Sequence, residues 1–271
     1  MAMYRWKVFL LDGLGKTVGE KLISAVPLKQ DDDGQRSNLT PVAASKYARV
    51  FKFDISLSNR RYDLFLKLFL FRSLGDFLKH LIRPSRARRA FNAGLMLAEN
   101  NLNAPVCIAM GQRKILGVPT ADFLITSDVA GAKQFHILLE ELDSLNDRQE
   151  QKRILLRQLG QTVGRMHTAG IFHGDLRLGN ILVQKDSNNA VNFTFTFLDN
   201  ERTKKFRQLP NRLRIKNLVQ VNMFEKALSR TDRMRFFTEY LNMCQIGPKK
   251  KWGIAAAAVA KTSRRLAAKR L

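Results

Sequence analysis

The chain has 271 residues, 45% of them hydrophobic, enough to bury a sizeable core in one two-lobed domain or two small ones. Its two cysteines, Cys107 and Cys244, stand in no Cys-x-x-Cys spacing, which excludes a disulfide framework and a zinc site and points to a reducing compartment. With 47 basic against 23 acidic side chains, a formal charge of +24, a polyanion is the expected partner, either nucleic acid or an anionic membrane surface.

In chain order, the apolar run in Met1–Asp12 is too short for a secretory signal, and nowhere do about 20 apolar residues follow one another as a bilayer span requires. A soluble or peripheral cytoplasmic protein is therefore expected. Gly13-Leu-Gly15-Lys-Thr-Val-Gly19 departs from the phosphate-loop spacing and reads as a turn between N-terminal strands. Residues 42–71 predict a hairpin, with strands over Val42–Asp54 and Tyr62–Phe71 and a turn at Ser58–Arg61. Lys67 is the only charge in Leu64–Phe71, and a cation among so many apolar neighbours is costly unless an anion meets it. Ser85 is the expected N-cap of a helix reaching about Asn100. A strand is expected over Thr120–Ser127 and a flexible link over Asp128–Lys133. Asp147-Arg-Gln-Glu150 resembles a capping box opening a long helix through His167, with Ile154, Leu155, Leu159, Val163 and Met166 on its apolar face. Three basic clusters carry no acid: Arg83–Arg89, Arg202–Lys216, and a helix from Lys249 to Leu271 with Trp252 near its start. That last helix either packs its small apolar face on the protein or rests it in a membrane interface.

The chemistry concentrates in Ile171-Phe-His173-Gly-Asp175-Leu-Arg177-Leu-Gly-Asn180-Ile-Leu-Val183, followed by the alternating strand Phe193–Phe197 and Asp199. This is the layout of the catalytic and metal-binding loops of a protein-kinase-like fold. An α+β, bilobal architecture follows, with a β-rich N-lobe over residues 1–127 and a mainly helical C-lobe over 128–271. Phosphoryl transfer depends on positioning and on neutralising charge, and the residue types suit both. Asp175 is placed to accept or orient the acceptor's hydroxyl proton, and Arg177 to steady the transferred phosphate bidentately. His173 is expected to brace the loop. Asn180 and Asp199 supply the oxygen ligands that Mg²⁺ prefers and would hold it against the phosphates of ATP. Lys67 takes the place of the strand lysine that meets the nucleotide phosphates. Its alternative is an edge lysine discouraging aggregation. No glycine-rich loop precedes it, so the backbone around Ser45 and Lys46 is the candidate cover for the phosphates. The helix after Lys67 carries no glutamate in phase to pair with it.

These residues suggest a family. Tyr62-Asp-Leu-Phe-Leu-Lys67, Arg83-Pro-Ser-Arg-Ala-Arg-Arg-Ala-Phe91, Met166-His-Thr-Ala-Gly-Ile-Phe-His-Gly-Asp175-Leu and Phe197-Leu-Asp199-Asn-Glu-Arg202 resemble the bacterial lipopolysaccharide core kinases, which phosphorylate Kdo or heptose of the inner core. The resemblance covers roughly residues 42–245. It implies ATP, Mg²⁺ and a sugar hydroxyl on an anionic glycolipid, with Asp175 as base, Asn180 and Asp199 as metal ligands and Lys67 on phosphate. It also implies work at the cytoplasmic face of the inner membrane, with peripheral contact there. Some members carry a glutamate where this chain has Ala90, and Asn200-Glu201 stands where kinases have Phe-Gly. The His-Gly-Asp-Leu segment is shared with aminoglycoside-type phosphotransferases, a second reading whose acidic pockets fit a basic chain badly. A third reading is a catalytically silent scaffold on anionic membrane or RNA. Nucleic acid is disfavoured because the phenylalanines sit in core-seeking patterns.

Overall fold

The computed structural model describes residues 5–10, 39–42, 47–57, 60–70, 83–115, 118–145, 148–186, 192–244 and 246–270. Gly13–Gly19, Ser45 and Lys46 lie outside these residues. Contacts divide the chain into two compact units, Met1–Gly94 with Pro105–Val129, and Leu95–Ala104 with Ala130–Leu271.

The first unit is an antiparallel sheet of β1 (Arg5–Leu10), β2 (Thr40–Val42), β3 (Ala48–Leu57), β4 (Arg60–Phe69), β5 (Cys107–Ile115) and β6 (Val118–Ser127), in the order β1-β5-β6-β4-β3-β2. Period-two alternation gives it two apolar faces. Phe51, Phe53, Leu64, Leu66, Phe123 and Ile125 pack together on one. Phe69, Met110 and Leu124 pack with Ala87 and Ala90 of helix α1 (Arg86–Glu99) on the other. Gly111 is required on β5, because a Cβ there would lie 2.3 Å from the Phe123 ring. The expected hairpin forms, with two corrections. Val42 is not part of its first strand but of β2, where it pairs with Val50 of β3, which starts at Ala48. Arg60 and Arg61 pair with Leu57 and Ser56, so they belong to the strand and not to the turn. Ser85 caps α1 as expected, accepting the Arg88 backbone N–H at 3.1 Å.

The second unit is mainly helical. It contains β7 (Lys133–Gln134), α2 (Phe135–Asp143), α3 (Gln149–Thr168), β8 (Ile171–Phe172), β9 (Ile181–Lys185), β10 (Phe193–Phe197), β11 (Lys204–Lys205), α4 (Asn211–Asn222), α5 (Arg230–Cys244) and α6 (Pro248–Arg270). The apolar stripe of α3 is buried at Leu155, Leu159, Val163 and Met166. Gly160 and Gly164 let α3 approach α5 closely, since a Cβ on Gly160 would meet the Phe236 carbonyl at 2.3 Å. Asp147, the first residue of the expected capping box, lies outside the described residues, and the N-cap falls one position later than the box implied. Arg148 is the N-cap and makes no side-chain cap, so Glu150 stands one position too early to reach back, and it pairs with Arg153 at 3.1 Å instead. The link after β6 is anchored at both ends within the separate units. Asp128 binds Lys52 at 2.8 Å in the first, and the Ala130 carbonyl accepts the Gln184 amide at 2.7 Å in the second.

Helix α6 decides the fate of its small apolar face. Ile254, Ala258 and Thr262 are buried, and the Thr262 hydroxyl accepts the Asn222 amide of α4 at 3.1 Å. The face expected to rest either on protein or on membrane is therefore packed, while Trp252 stays 74% exposed. Among the described residues no helix is long and apolar enough to cross a membrane.

Candidate active site

The loop from His173 to Asn180 lies within the second unit, between β8 and β9, and ends in a 3-10 turn over Leu178–Asn180. Two glycines make its path feasible. Gly170 has φ +77° and approaches Phe206 so closely that a Cβ would lie 2.0 Å from the Phe206 carbonyl oxygen. At Gly174 a Cβ would lie 2.0 Å from Arg202 Cβ, so the loop can lie directly against the Asp199–Arg202 segment only because position 174 has no side chain.

His173 joins the two segments. It is fully buried, its Nε2–H donates to the Leu198 carbonyl at 2.9 Å, and its Nδ1 accepts the Asp175 backbone N–H at 3.2 Å. A ring that donates from one nitrogen and accepts at the other is neutral. Burial holds its pKa below the ordinary histidine range, against opposing contributions from the Leu198 carbonyl and the Asp175 and Asp199 carboxylates. Its geometry is that of a brace. The Leu198 N–H also donates to the Asn180 carbonyl at 2.9 Å, so the residue preceding Asp199 is fixed to both ends of the loop.

Asp175 is 25% exposed, and its Oδ1 receives Arg177 Nε at 2.7 Å. Arg177 is itself 69% exposed, so its guanidinium orients the carboxylate and still faces solvent. The Asn180 amide nitrogen donates to the Asp175 carbonyl at 2.9 Å, which leaves the amide oxygen as the atom that residue can offer a cation. Asp199 takes a left-handed conformation, φ 56° and ψ 45°, which short polar side chains tolerate better than others. Asn200 behind it is buried and donates to the Phe197 carbonyl at 2.7 Å. The described residues contain no group of three or more His, Cys, Asp or Glu side chains able to enclose a metal ion. One carboxylate and one amide oxygen instead suit Mg²⁺, which retains waters and takes phosphate oxygens for its other positions.

Hydrogen bonds join His173, Asp175, Arg177 and Asn180, and they fix Leu198, the residue before Asp199, to both ends of that loop. Lys67 belongs to the first unit, on β4 opposite Val50 and Leu124, with its ammonium 5.2 Å from the Phe69 ring centroid. A buried acid stands on that same face of the sheet. Asp122 on β6 pairs in register with Phe69, is 3% exposed, and accepts the Arg86 N–H at 3.1 Å and the Gln112 amide at 3.2 Å. Sequence reasoning also missed Asn217 and Gln220 on α4, whose amides reach the loop. The available signal was a pair of amides three residues apart beside the apolar Leu218, Val219 and Val221, which puts them on one inward face. Part of the acid-free basic run before them turns inward. Arg214 is partly buried and donates to the Tyr240 hydroxyl at 2.6 Å, and Lys216 lies 5.3 Å from the Phe172 ring centroid.

Comparison with known proteins bears on the same region. Residues 58–240 match the model of the lipopolysaccharide kinase (Kdo/WaaP) family. The lipopolysaccharide core heptose(I) kinase WaaP of Pseudomonas aeruginosa is 24% identical over 173 residues, 61% of this chain and 65% of that protein, so the match spans just under two thirds of the relative's length. A solved structure of WaaP in complex with acyl carrier protein superposes with a TM-score of 0.65 at 18% identity, covering 95% of this chain and 98% of that one. At that identity the likeness speaks for the fold alone, and the fold is the α+β, protein-kinase-like one expected from the loop spacing.

Proposed function

The chain belongs to the lipopolysaccharide kinase (Kdo/WaaP) family, and from that membership we propose that it is an ATP-dependent phosphotransferase acting on a sugar hydroxyl, Kdo or heptose, of the lipopolysaccharide inner core. The observation that carries the reading is the joining of the Asp175 loop to the Leu198–Asp199 segment through the buried His173 ring. Asp175 then orients the acceptor hydroxyl and takes its proton as the oxygen attacks the γ-phosphorus of ATP and the bond to the β-phosphate oxygen breaks, releasing ADP. Arg177 holds the Asp175 carboxylate and offers its remaining N–H groups to the transferred phosphoryl. Asn180 and Asp199 would hold Mg²⁺, which when bound offsets negative charge on the nucleotide phosphates. Lys67 is assigned to the nucleotide phosphates, with the backbone at Ser45 and Lys46 as their cover.

An anionic glycolipid suits the electrostatics. Arg202, Lys204, Lys205, Arg207 and Arg212 follow Asp199 directly and are all exposed, giving a cationic approach to an acceptor bearing carboxylates and phosphates. Peripheral contact with the membrane carrying that acceptor belongs to the same proposal, with Trp252 and the neighbouring lysines of α6 as the contacting groups.

The test is incubation of the purified protein with Mg²⁺, labelled ATP and dephosphorylated lipid A–core acceptors, beside Asp175→Ala and Asp199→Ala. Label is expected on the glycolipid with the wild type and on none with either variant. Wild-type protein that neither transfers label nor binds ATP in a Mg²⁺-dependent way would instead support a silent scaffold.

A further inference from the structure

We propose that Asn217 and Gln220, one turn apart on α4, are positioning residues for Asp175, gripping the four consecutive residues His173 to Leu176 and aiming the carboxylate. The proposal rests on the phosphotransferase reading and names the part of the molecule that keeps its base in place.

The contacts are dense for two side chains. Asn217 Oδ1 accepts the His173 N–H at 3.1 Å, and its Nδ2 donates to the His173 carbonyl. The same nitrogen donates to Gln220 Oε1 at 2.8 Å. Gln220 Oε1 also accepts the Leu176 N–H at 3.3 Å, while its Nε2 lies 3.4 Å from both the Gly174 carbonyl and Asp175 Oδ1. A side-chain amide suits both positions, because each donates twice and accepts twice, more than one hydroxyl can supply. The backbone partners are unambiguous, so they fix which end of each amide is oxygen and which is nitrogen.

The grip is supported from behind. Asn217 is fully buried, and its Oδ1 also takes the His167 Nε2–H at 3.2 Å. His167 Nδ1 then accepts the Tyr240 hydroxyl at 3.0 Å, and that oxygen accepts Arg214 Nη1 at 2.6 Å. Each link has one donor and one acceptor, and the direction runs consistently from Arg214 to Asp175. A chain of this kind holds orientation better than separate pairs do. At its end, Arg177 and Gln220 both donate to Oδ1 of Asp175. Among the described residues that directs Oδ2 to the acceptor hydroxyl.

Two substitutions test this. Gln220→Met keeps the length and removes both hydrogen-bonding atoms. Gln220→Glu keeps the acceptor for Leu176 but replaces the donor facing Asp175 with a second carboxylate. For Gln220→Met, kcat is expected to fall about tenfold to a hundredfold, with KM for ATP within about twofold. For Gln220→Glu, which keeps the acceptor for Leu176 but loses the donor to Asp175 Oδ1, kcat is expected to fall at least as far, again with KM for ATP within about twofold. A purely structural role would instead lower the urea midpoint and leave kcat of the folded protein near wild type. Unchanged kcat in both variants overturns the proposal. Wild-type protein that transfers no phosphate, while its Leu176 amide exchanges slowly and that of Gln220→Met exchanges fast, removes the kinase reading and leaves the clamp standing. Should both variants unfold, the wild type decides: the Leu176 amide is expected to exchange slowly, and rapid exchange overturns the clamp.

Discussion

At the scale of single residues, two buried histidines show how the site region constrains protonation. Burial, aided by the Arg214 charge, pushes His167 from 6.5 down to about 3, against the opposing Asn217 contact, and burial lowers His173 in the same direction. Both are neutral in the folded chain, whereas in the unfolded chain they take up protons near 6.5. Between those limits the unfolded state binds more protons, so stability is full above about pH 6.5 and is lost as the pH falls toward the folded values. For His167 the loss is expected to approach about 1.4 kcal/mol per pH unit, and His173 adds in the same direction. Denaturant titrations at pH 7.0, 6.0 and 5.0 measure it, with His167→Gln flattening part of the slope. A profile independent of pH would contradict both buried neutral rings.

At the scale of elements, the second unit is tied by one buried ammonium. Lys152 on α3, 5% exposed, binds Asp143 of α2 at 2.6 Å and Asp232 of α5 at 2.9 Å. Burial pulls its pKa down, but the two carboxylates outweigh that and hold it above the ordinary lysine value. Removing one member of a buried ion pair leaves the other charge uncompensated. Lys152→Ala is therefore expected to cost about 3 kcal/mol or more, read as a drop in urea midpoint. Lys152→Met combined with Asp232→Leu should recover part of that loss, and a single substitution without effect would show the pair to be solvated. The same scale shows what local pattern captures. Ser85 and the start of α1 were legible because a cap acts within one turn. The N-cap at Arg148 reflects a helix starting one residue later than the capping-box pattern implied, a choice that local sequence leaves open.

For the whole molecule, the excess of 47 basic over 23 acidic side chains is the dominant property. If the acceptor is the anionic glycolipid, its kcat/KM should fall steeply between about 0.05 and 0.3 M salt, over which the Debye length shortens from about 14 to 6 Å. A neutral sugar acceptor, measured in parallel, should respond weakly. Equal salt dependence for both would remove electrostatic guidance from the account. The charge alone left nucleic acid and membrane both open, since it carries no geometry. The glycolipid acceptor is the proposal that the family match motivates.

Sequence by itself determined the spacing of His173, Asp175, Arg177, Asn180 and Asp199, the alternating strands and the apolar stripe of α3. Each is set within a few residues by backbone geometry, side-chain period or ligand chemistry. Tertiary structure decided what holds that spacing in place. Asn217 and Gln220 lie more than forty residues from the loop they grip, and Asp122 stands on a strand remote in sequence from the helix whose first N–H it accepts. Arg214, one of seven cations in the acid-free run Arg202–Lys216, turns inward to Tyr240. The α6 face meets α4 through Asn222 and Thr262. These outcomes depend on which distant surfaces meet, and a buried amide or carboxylate acquires its partner only when the chain brings one within hydrogen-bond distance.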